Sequence, residues 1–202
     1  MPLKELWLSI DLSGARGTVA LHEQGAALRE LGSVELEDGR HSEGVLGALT
    51  TLLAQTGHSL AEVDRWLTGS GPGSFTGLRV AHSVVKAFHF VSGKPVELLD
   101  LHEARALAYL AQSEKRPTTL GIGTQLTRDQ ILVSQFRVLE KGVEWVSEET
   151  VPTLPEGVLL SEFPMRASYL AQALELARRR QTLTDRAAVA QASPLYFGSR
   201  FG

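Results

Sequence analysis

The chain has 202 residues, and 43% of them are hydrophobic, which is enough to fill the core of one large domain or of two small lobes. Its formal net charge is −3, so it lacks the strongly basic balance of proteins that bind RNA unaided. The absence of cysteine excludes disulfides and cysteine chemistry, and it is typical of a reducing compartment.

The sequence also argues against a membrane protein. Its apolar runs are all shorter than the roughly eighteen residues that a membrane-spanning helix needs. The opening segment, residues 1–6, is too short and too charged for a signal peptide. We therefore expect a cytoplasmic protein without membrane association.

The first half of the chain is predicted to form three strands, followed by helices that alternate with single strands. Short glycine-containing connections between the first three extended runs are typical of antiparallel hairpins. Ser42 is placed to cap the next helix and Gly57 to end it, and Ser59 and Glu62 form a capping box. The predicted strands cover residues 6–10, 18–21, 27–36, a segment near Trp66 and 96–99, and the predicted helices cover 42–55, a segment ending near Ser92 and 101–112.

A polar segment, residues 113–117, separates the second half of the chain. We therefore predict one lobe over residues 1–112 and a smaller lobe over residues 113–202. The second half repeats the order of the first, since three extended runs precede a helix, which indicates a duplicated unit. The predicted strands cover residues 119–123, 130–139 and 143–149, and the predicted helix covers 167–180.

The most informative stretch is the string GPGSFTGLR at residues 71–79, which lies on a predicted strand-to-helix turn. Gly71 and Gly73 permit positive φ, and either Ser74 or Thr76 can cap the helix that follows. Backbone N–H groups at such a helix start suit a bound anion, although a purely structural turn fits the pattern equally well. The lack of a lysine after the last glycine excludes a Walker A loop.

As a contiguous string, GPGSFTGLR resembles the signature of the TsaB (YeaZ) family, bacterial partners in making threonylcarbamoyladenosine in tRNA. The resemblance is close over about residues 6–110 and thin over residues 115–190. Supporting matches are the strand and turn LSIDLS at 8–13, in which Leu12 replaces the usual Thr, the helix start HSE at 41–43, the strand KPV at 94–96 and the segment PLY at 194–196.

The resemblance implies an α/β protein with two ribonuclease-H-like lobes of the actin/hexokinase-type (ASKHA) fold, the second lobe shorter and atypical. It further implies a non-catalytic scaffold that pairs with the paralogue TsaD, which transfers a threonylcarbamoyl group to the adenosine next to the anticodon. The ATPase TsaE would join this heterodimer, the chain alone would form a homodimer, and tRNA would be bound only through the complex. No cofactor would be required.

A nucleotide site is the first alternative that the residues leave open. In actin-like folds the turn after the first strand binds phosphate, and a carboxylate there holds the metal of the nucleotide. Asp11 and Ser13 occupy that turn here, but a carboxylate at a strand end is often only a turn former. In the second half Gln125 lies where a partner carboxylate is expected, and Asp129 comes too late in the turn. We therefore expect weak ATP or ADP binding at most, at Asp11, Ser13, Gly71, Gly73, Ser74 and Thr76.

The resemblance also bears on metal binding. TsaD has a His-x-x-x-His metal pair, and two histidines four apart on a helix can hold one ion. The corresponding positions here are Leu101 and Arg105, while His102 has no partner at Ala106. We therefore expect no metal site.

His82 and His89 are seven residues apart, which favours two separate helix histidines over a metal pair.

We also expect no catalytic residue. Ser74 is the second residue of a five-residue Gly-Ser-x-x-Gly string, so the spacing of a nucleophile elbow is not met.

The helix over residues 42–55 carries a wide apolar stripe beside small residues, and the stripe consists of Val45, Leu46, Leu49, Leu52 and Leu53. Such a stripe usually attaches a helix to its own sheet, but small residues also allow a second helix to approach. The resemblance implies that this helix and the signature helix bind TsaD, so that Leu49→Arg would abolish pairing and leave a soluble fold. The expected contact residues are His41, Val45, Leu49, Leu53, His82, Lys86 and His89.

Two other functions remain open at this stage. An actin-like-fold ATPase or small-molecule kinase acting alone would need two carboxylates around Mg²⁺ and tight nucleotide binding. A self-associating protein that works without TsaD would form a stable homodimer that TsaD does not disturb.

Overall fold

A computed structural model describes residues 4–36, 41–114, 116–140, 142–159 and 166–179, with only the backbone at 41–42 and 176–179. The strands are β1 Glu5–Asp11, β2 Thr18–Gln24, β3 Leu28–Glu35, β4 Arg65–Gly71, β5 Val96–Asp100, β6 Thr119–Thr127, β7 Gln130–Leu139, β8 Gly142–Val151 and β9 Val158–Leu159. The helices are α1 His41–Thr56, α2 Phe75–Ser92, α3 Leu101–Gln112 and α4 Ala167–Arg179, with a 3₁₀ turn at Leu60–Glu62.

The first sheet has the strand order β3-β2-β1-β4-β5. Strands β1, β2 and β3 pair antiparallel, as their short glycine-containing connections predict, whereas β4 and β5 run parallel to β1. The parallel strands need crossovers, which α1 and α2 supply. This order confirms a ribonuclease-H-like sheet.

The second sheet has the order β8-β7-β6-β9, which repeats the first four positions of the first sheet. Its first three strands are antiparallel, and β9 runs parallel to β6. The described residues between β8 and β9, 152–157, form no helix, and the described part of the chain adds no fifth strand. The prediction of two such lobes, with the second shorter and atypical, is therefore confirmed.

The predicted elements agree closely with the observed ones wherever local signals are strong. Helix α3 has the predicted bounds, and Gly57 and Gly93 have the left-handed φ values of +72° and +68° expected at helix ends. The two-residue strand β9 was not predicted. The PLY match at residues 194–196 lies outside the described residues.

The core of the protein lies on both faces of the first sheet. Leu8 and Ile10 of β1 face α1 and α2, and the alternating residue Trp7 faces α3 and α4. The second face continues without a break into the second sheet through Leu120 and Phe136. Helix α4, from the second half, thus packs on the sheet of the first half, and the predicted division after residue 112 stays a prediction.

Candidate functional site

The signature turn lies against the β1–β2 connection at two glycines. A Cβ on Gly73 would lie 2.5 Å from the Cβ of Ser13, and a Cβ on Gly77 would lie 1.7 Å from the carbonyl oxygen of Leu12. The N–H of Ser74 also donates to the carbonyl of Ser13 at 2.8 Å. Glycine is therefore required here for close backbone approach, which joins the start of α2 to the end of β1.

Ser74, and not Thr76, is the N-cap of α2. Its Oγ accepts from the N–H of Gly77 at 3.3 Å, and its carbonyl accepts from the N–H of Leu78 at 2.9 Å. Gly71 has a φ of +113°, as predicted for this turn, whereas Gly73 does not use the positive φ that it permits. The turn therefore uses the N–H groups of Ser74 and Gly77 within the protein, and anion binding at its remaining groups stays a prediction.

Asp11 ends β1 and is buried. Its Oδ1 accepts from the N–H of Ser13 at 3.1 Å, which is the turn-forming role that the sequence left open. Its negative charge also acts on Arg105 of α3 and favours the charged guanidinium. The hydrogen bond that Asp11 makes is thus local to its own turn.

Helix α3 carries polar side chains into the junction between the two sheets. The carboxylate of Asp100 accepts from the N–H of Glu103 at 2.8 Å and so caps the helix. Arg105, only 4% exposed, donates from Nη1 to Thr124 Oγ1 of β6 at 2.8 Å. Burial lowers the pKa of Arg105, and the charges of Asp11 and Asp100 oppose that change.

His102, also on α3, bonds both ring nitrogens to the second sheet. Its Nδ1 lies 2.7 Å from Ser134 Oγ, and its Nε2 lies 2.8 Å from Thr124 Oγ1. Burial lowers the pKa of His102 to about 3, so the ring is neutral at physiological pH, with one donor and one acceptor. Ser134 in turn donates to Glu148 Oε2 of β8 at 3.1 Å.

These contacts form one continuous polar cluster between the sheets. Burial raises the pKa of Asp100 to about 6, and the negative charge of Glu148 adds to this effect. We call the cluster the junction network, and its members are His102, Arg105, Thr124, Ser134 and Glu148.

The β6–β7 turn of the second half is much shorter than the connection after β1. Strands β6 and β7 are joined by only two residues, Arg128 and Asp129, and Asp129 is exposed. The exposed Gln125 donates from its amide to the carbonyls of Thr127 and Gln130, so it stabilises its own hairpin. Position 125, where a second carboxylate was expected, therefore holds a neutral glutamine that is hydrogen-bonded within its own hairpin.

Three predicted contact residues on α1 are buried against the first sheet: Val45, Leu49 and Leu53. His82 is buried as well, and its Nε2–H donates to the carbonyl of Gly69 at 2.8 Å. Core packing and a buried hydrogen bond occupy these four side chains in the isolated chain, and partner contact through them stays a prediction.

The other three predicted contact residues are differently placed. Lys86 and His89 are exposed on α2, as predicted, and the Nδ1–H of His89 donates to the carbonyl of Lys94 at 2.7 Å. The side chain of His41 lies outside the described residues. Partner contact through Lys86 and His89 stays a prediction.

Sequence reasoning missed the most exposed apolar side chains on the two helices. Phe90 and Val91 at the end of α2 are 89% and 84% exposed, and Leu46 of α1 is 58% exposed. Leu46 was included in the core stripe because it neighbours Val45 in the sequence. Phe90 lies outside the core-facing spacing of α2, and that departure was the available signal, whereas Val91 is exposed next to the last residue of the helix.

The described residues lack two further features, a cluster of metal-binding side chains and a helix that could span a membrane. No three His, Asp or Glu side chains in the described part of the chain converge as a metal site would require. Among the described helices, each is too short or too polar to cross a membrane.

Comparisons with known proteins agree with this architecture. The family model described as "TsaD: tRNA N6-adenosine threonylcarbamoyltransferase" matches residues 35–172, which is 138 of the 202 residues. Two curated relatives are each called "tRNA threonylcarbamoyladenosine biosynthesis protein TsaB". The Haemophilus influenzae protein is 34% identical over 89 residues, 44% of this chain and 36% of that relative. The Escherichia coli protein is 24% identical over 147 residues, 73% of this chain and 61% of that relative.

The matched segments thus span only about a third to three fifths of those curated relatives. A solved structure, YeaZ from Pseudomonas aeruginosa, matches with a TM-score of 0.75 at 22% identity, covering 96% of this chain and 100% of that one. At this identity the match establishes the fold. The chain therefore belongs to the family described by the TsaD model and, within it, to the TsaB (YeaZ) family.

Proposed function

We propose that this chain is a non-catalytic subunit in the biosynthesis of N6-threonylcarbamoyladenosine in tRNA. It would pair with TsaD and hold that enzyme in an active arrangement while TsaD transfers the threonylcarbamoyl group. The names of the curated relatives support the pathway. The same proposal has three further parts. The ATPase TsaE would join the heterodimer, and this chain would form a homodimer in the absence of TsaD. Contact with tRNA would occur only through the complex.

The observation that carries the pairing is an exposed apolar surface on two adjacent helices. Helices α1 and α2 contact each other and cover the same side of the first sheet. Their outer sides combine three large apolar residues with small ones, so another helix can approach closely. We call this surface the helix face, and its residues are Leu46, Gly47, Ala54, Ala87, Phe90 and Val91.

Such a surface is costly to leave in water. A phenylalanine that is 89% exposed beside a valine that is 84% exposed is typical of an interaction site. The buried residues Val45, Leu49 and Val85 anchor the two helices to the sheet, so the helix face is presented on a rigid support. A preordered apolar surface loses little conformational entropy when a partner binds.

The non-catalytic role is supported by the two turns. Phosphoryl transfer depends on metal ions and positioned charges around the phosphates. Here the second turn has two residues, its Asp129 is exposed, and Gln125 bonds within its own hairpin. The net charge of −3 also favours tRNA contact through a partner.

Co-purification with TsaD tests the pairing. We expect Phe90→Asp to weaken complex formation at least tenfold, because the interface would have to bury a charge. Leu139→Asp is the matched control, since Leu139 is 42% exposed on the second sheet and should bind TsaD as the parent does. Equal binding by both variants would refute the helix face as the interface.

The competing enzyme function has its own test. Calorimetry with Mg·ATP and a phosphate-release assay on the purified chain should show neither micromolar binding nor turnover. Micromolar affinity with turnover in the absence of TsaD would instead favour an independent ATPase or kinase.

A further inference from the structure

Strand β8 forms an exposed edge of the second sheet. It stands at one end of the strand order and, among the described strands, pairs only with β7. Its residues 144–150 are all exposed, and the large apolar side chains of Trp145 and Val146 are 60% and 47% exposed. The opposite edge strand, β9, has only two residues, both partly buried. A long exposed edge presents backbone N–H and C=O groups with which an added strand can pair.

A β-bulge determines which side chains share a face of this edge. Val146 is the extra residue of β8 and has no partner in β7. Trp145 pairs with Phe136. Glu148 pairs with Ser134. Because Phe136 and Ser134 are two residues apart on β7, their partners lie on the same face, about 7 Å apart along the strand. The bulge therefore brings an exposed aromatic ring and a carboxylate together on one face.

This combination suits the side chain of a lysine or an arginine. A cation binds favourably over the face of a tryptophan ring, and a long basic side chain can cover the ring with its apolar stem while its charged end reaches a carboxylate. The carboxylate of Glu148 is held in place, since it accepts from Ser134 Oγ at 3.1 Å. Glu144 and Glu149 lie on the opposite face, where they pair with Arg137 and Val133.

The charge of the edge indicates which kind of partner it can accept. Strand β8 carries three glutamates and no basic residue, which favours a basic segment and disfavours a nucleic acid. A second copy of this chain is disfavoured as well. Two β8 strands that paired antiparallel about Val146 would place Glu144 opposite Glu148, and the two-fold symmetry would repeat that contact. Like charges directly opposite each other destabilise a strand pair.

We propose that the edge of β8 binds an extended, basic segment of another protein, which adds a strand to the second sheet. One lysine or arginine of that segment lies over Trp145 and reaches Glu148, and a basic residue on the other face meets Glu149. The helix face lies on the side of the first sheet that is turned away from the second sheet. The binding of this segment therefore does not depend on pairing with TsaD, and the purified chain can be used to test it.

Titration with a synthetic peptide tests the proposal. The probe is a nine-residue peptide of three arginine–threonine–valine repeats, which places arginines on both faces of an extended strand. We expect the peptide to bind and to slow amide hydrogen exchange in residues 142–151. The same peptide with N-methylated backbone at alternate residues keeps its charge but cannot complete the hydrogen bonds, so it should not bind. Equal binding of the methylated peptide, or unchanged exchange in β8, would overturn strand addition.

Variants of the chain test the side chains that recognise the peptide. Trp145→Ala should weaken binding at least threefold, and Trp145→Phe should retain more of the affinity. Glu149→Lys should also weaken binding about threefold or more. Glu156→Lys is the matched control, because Glu156 is exposed in the loop before β9, at the opposite edge of the sheet. An equal loss in Glu156→Lys would reveal attraction by net charge alone and would refute the site. A homodimer with β8 amides protected in the absence of peptide would likewise refute it.

Discussion

The ring of His102 and the hydroxyl of Thr124 lie 2.8 Å apart, nitrogen to oxygen, across the boundary between the two sheets. The same hydroxyl accepts from Arg105 at 2.8 Å, so one small side chain on β6 bonds to two buried residues of α3. Because α3 follows the last strand of the first sheet, this contact couples the two halves of the chain directly.

Removal of the Thr124 hydroxyl should therefore lower the free energy of unfolding substantially, although it removes only one polar group. Thr124→Val keeps the shape of the side chain but leaves a buried guanidinium N–H and a ring nitrogen unsatisfied. We expect the free energy of unfolding to fall by about 2–3 kcal/mol in urea titrations. Thr119→Val, at an exposed position of the same strand, is the control and should change stability by less than about 0.5 kcal/mol. Equal effects would mean that the contact contributes nothing.

Replacement by alanine should destabilise the protein at Gly77 and stabilise it at Gly47. Gly77→Ala would place a Cβ 1.7 Å from the carbonyl oxygen of Leu12, so the signature turn would have to move away from the β1–β2 connection. We expect a loss of about 3 kcal/mol or more, or failure to fold. Gly47→Ala in α1 meets no atom within 4 Å and should gain about 0.5–1 kcal/mol from helix propensity. Thermal unfolding of both variants checks the pair.

Leu49 and Leu46 of α1 allow a core position and a surface position of the same helix to be compared. Leu49 is buried against the first sheet, so Leu49→Arg should unfold the protein or make it insoluble, contrary to the expectation drawn from the sequence. Leu46 is 58% exposed, so Leu46→Arg should keep the fold and lose binding to TsaD. Circular dichroism and a pull-down with TsaD measure the two effects. A folded Leu49→Arg variant would show that the helix is not anchored as described.

Acid should destabilise the protein partly through His22, which is buried on β2 with its Nε2 3.7 Å from Glu30 Oε2. Burial lowers the pKa of His22 from 6.5 to about 4, although Glu30 acts in the opposite direction. Between pH 4 and pH 6.5, His22 is protonated in the unfolded chain but stays neutral in the folded chain. Stability is thus fully present above pH 6.5 and falls as the pH drops towards 4, by about 1.4 kcal/mol per pH unit.

His22→Leu should therefore flatten the acid side of the stability profile. Urea unfolding at pH 7 and pH 5 should show a smaller loss in the variant than in the parent, by about 2 kcal/mol. His89→Leu, at an exposed position, should keep the parental slope. The remaining slope in His22→Leu comes in part from His102, whose pKa is lowered by burial as well. A variant with an unchanged slope would refute this assignment.

Local chemistry explains why much of the fold was predictable. Helix α3 starts at a carboxylate cap and has the predicted bounds, and Gly57 and Gly93 end helices where left-handed φ is required. The alternating, glycine-punctuated runs of the first half indicated the antiparallel strands. Each of these features depends on residues within a few positions of each other, so sequence patterns contain them.

The sides of the helices were harder to assign. Val45 and Leu46 are neighbours in the sequence, yet one is buried and the other is 58% exposed. A wide apolar stripe does not show which of its edges meets the sheet. His82 was expected to face outward, but its ring is hydrogen-bonded to the carbonyl of Gly69 in β4. The sequence around His82 does not show that β4 lies beside this part of the helix.

The sequence by itself determined the family, the signature turn, most helix ends and the repeated order of elements, because these follow from short-range propensity and from a contiguous motif. Only the tertiary structure decided that α4 packs on the first sheet, that Arg105 donates to Thr124, and that His102 connects Thr124 to Ser134. Those contacts join residues far apart in the chain. Their geometry is set by how two sheets and α3 pack together, and no local pattern records that packing.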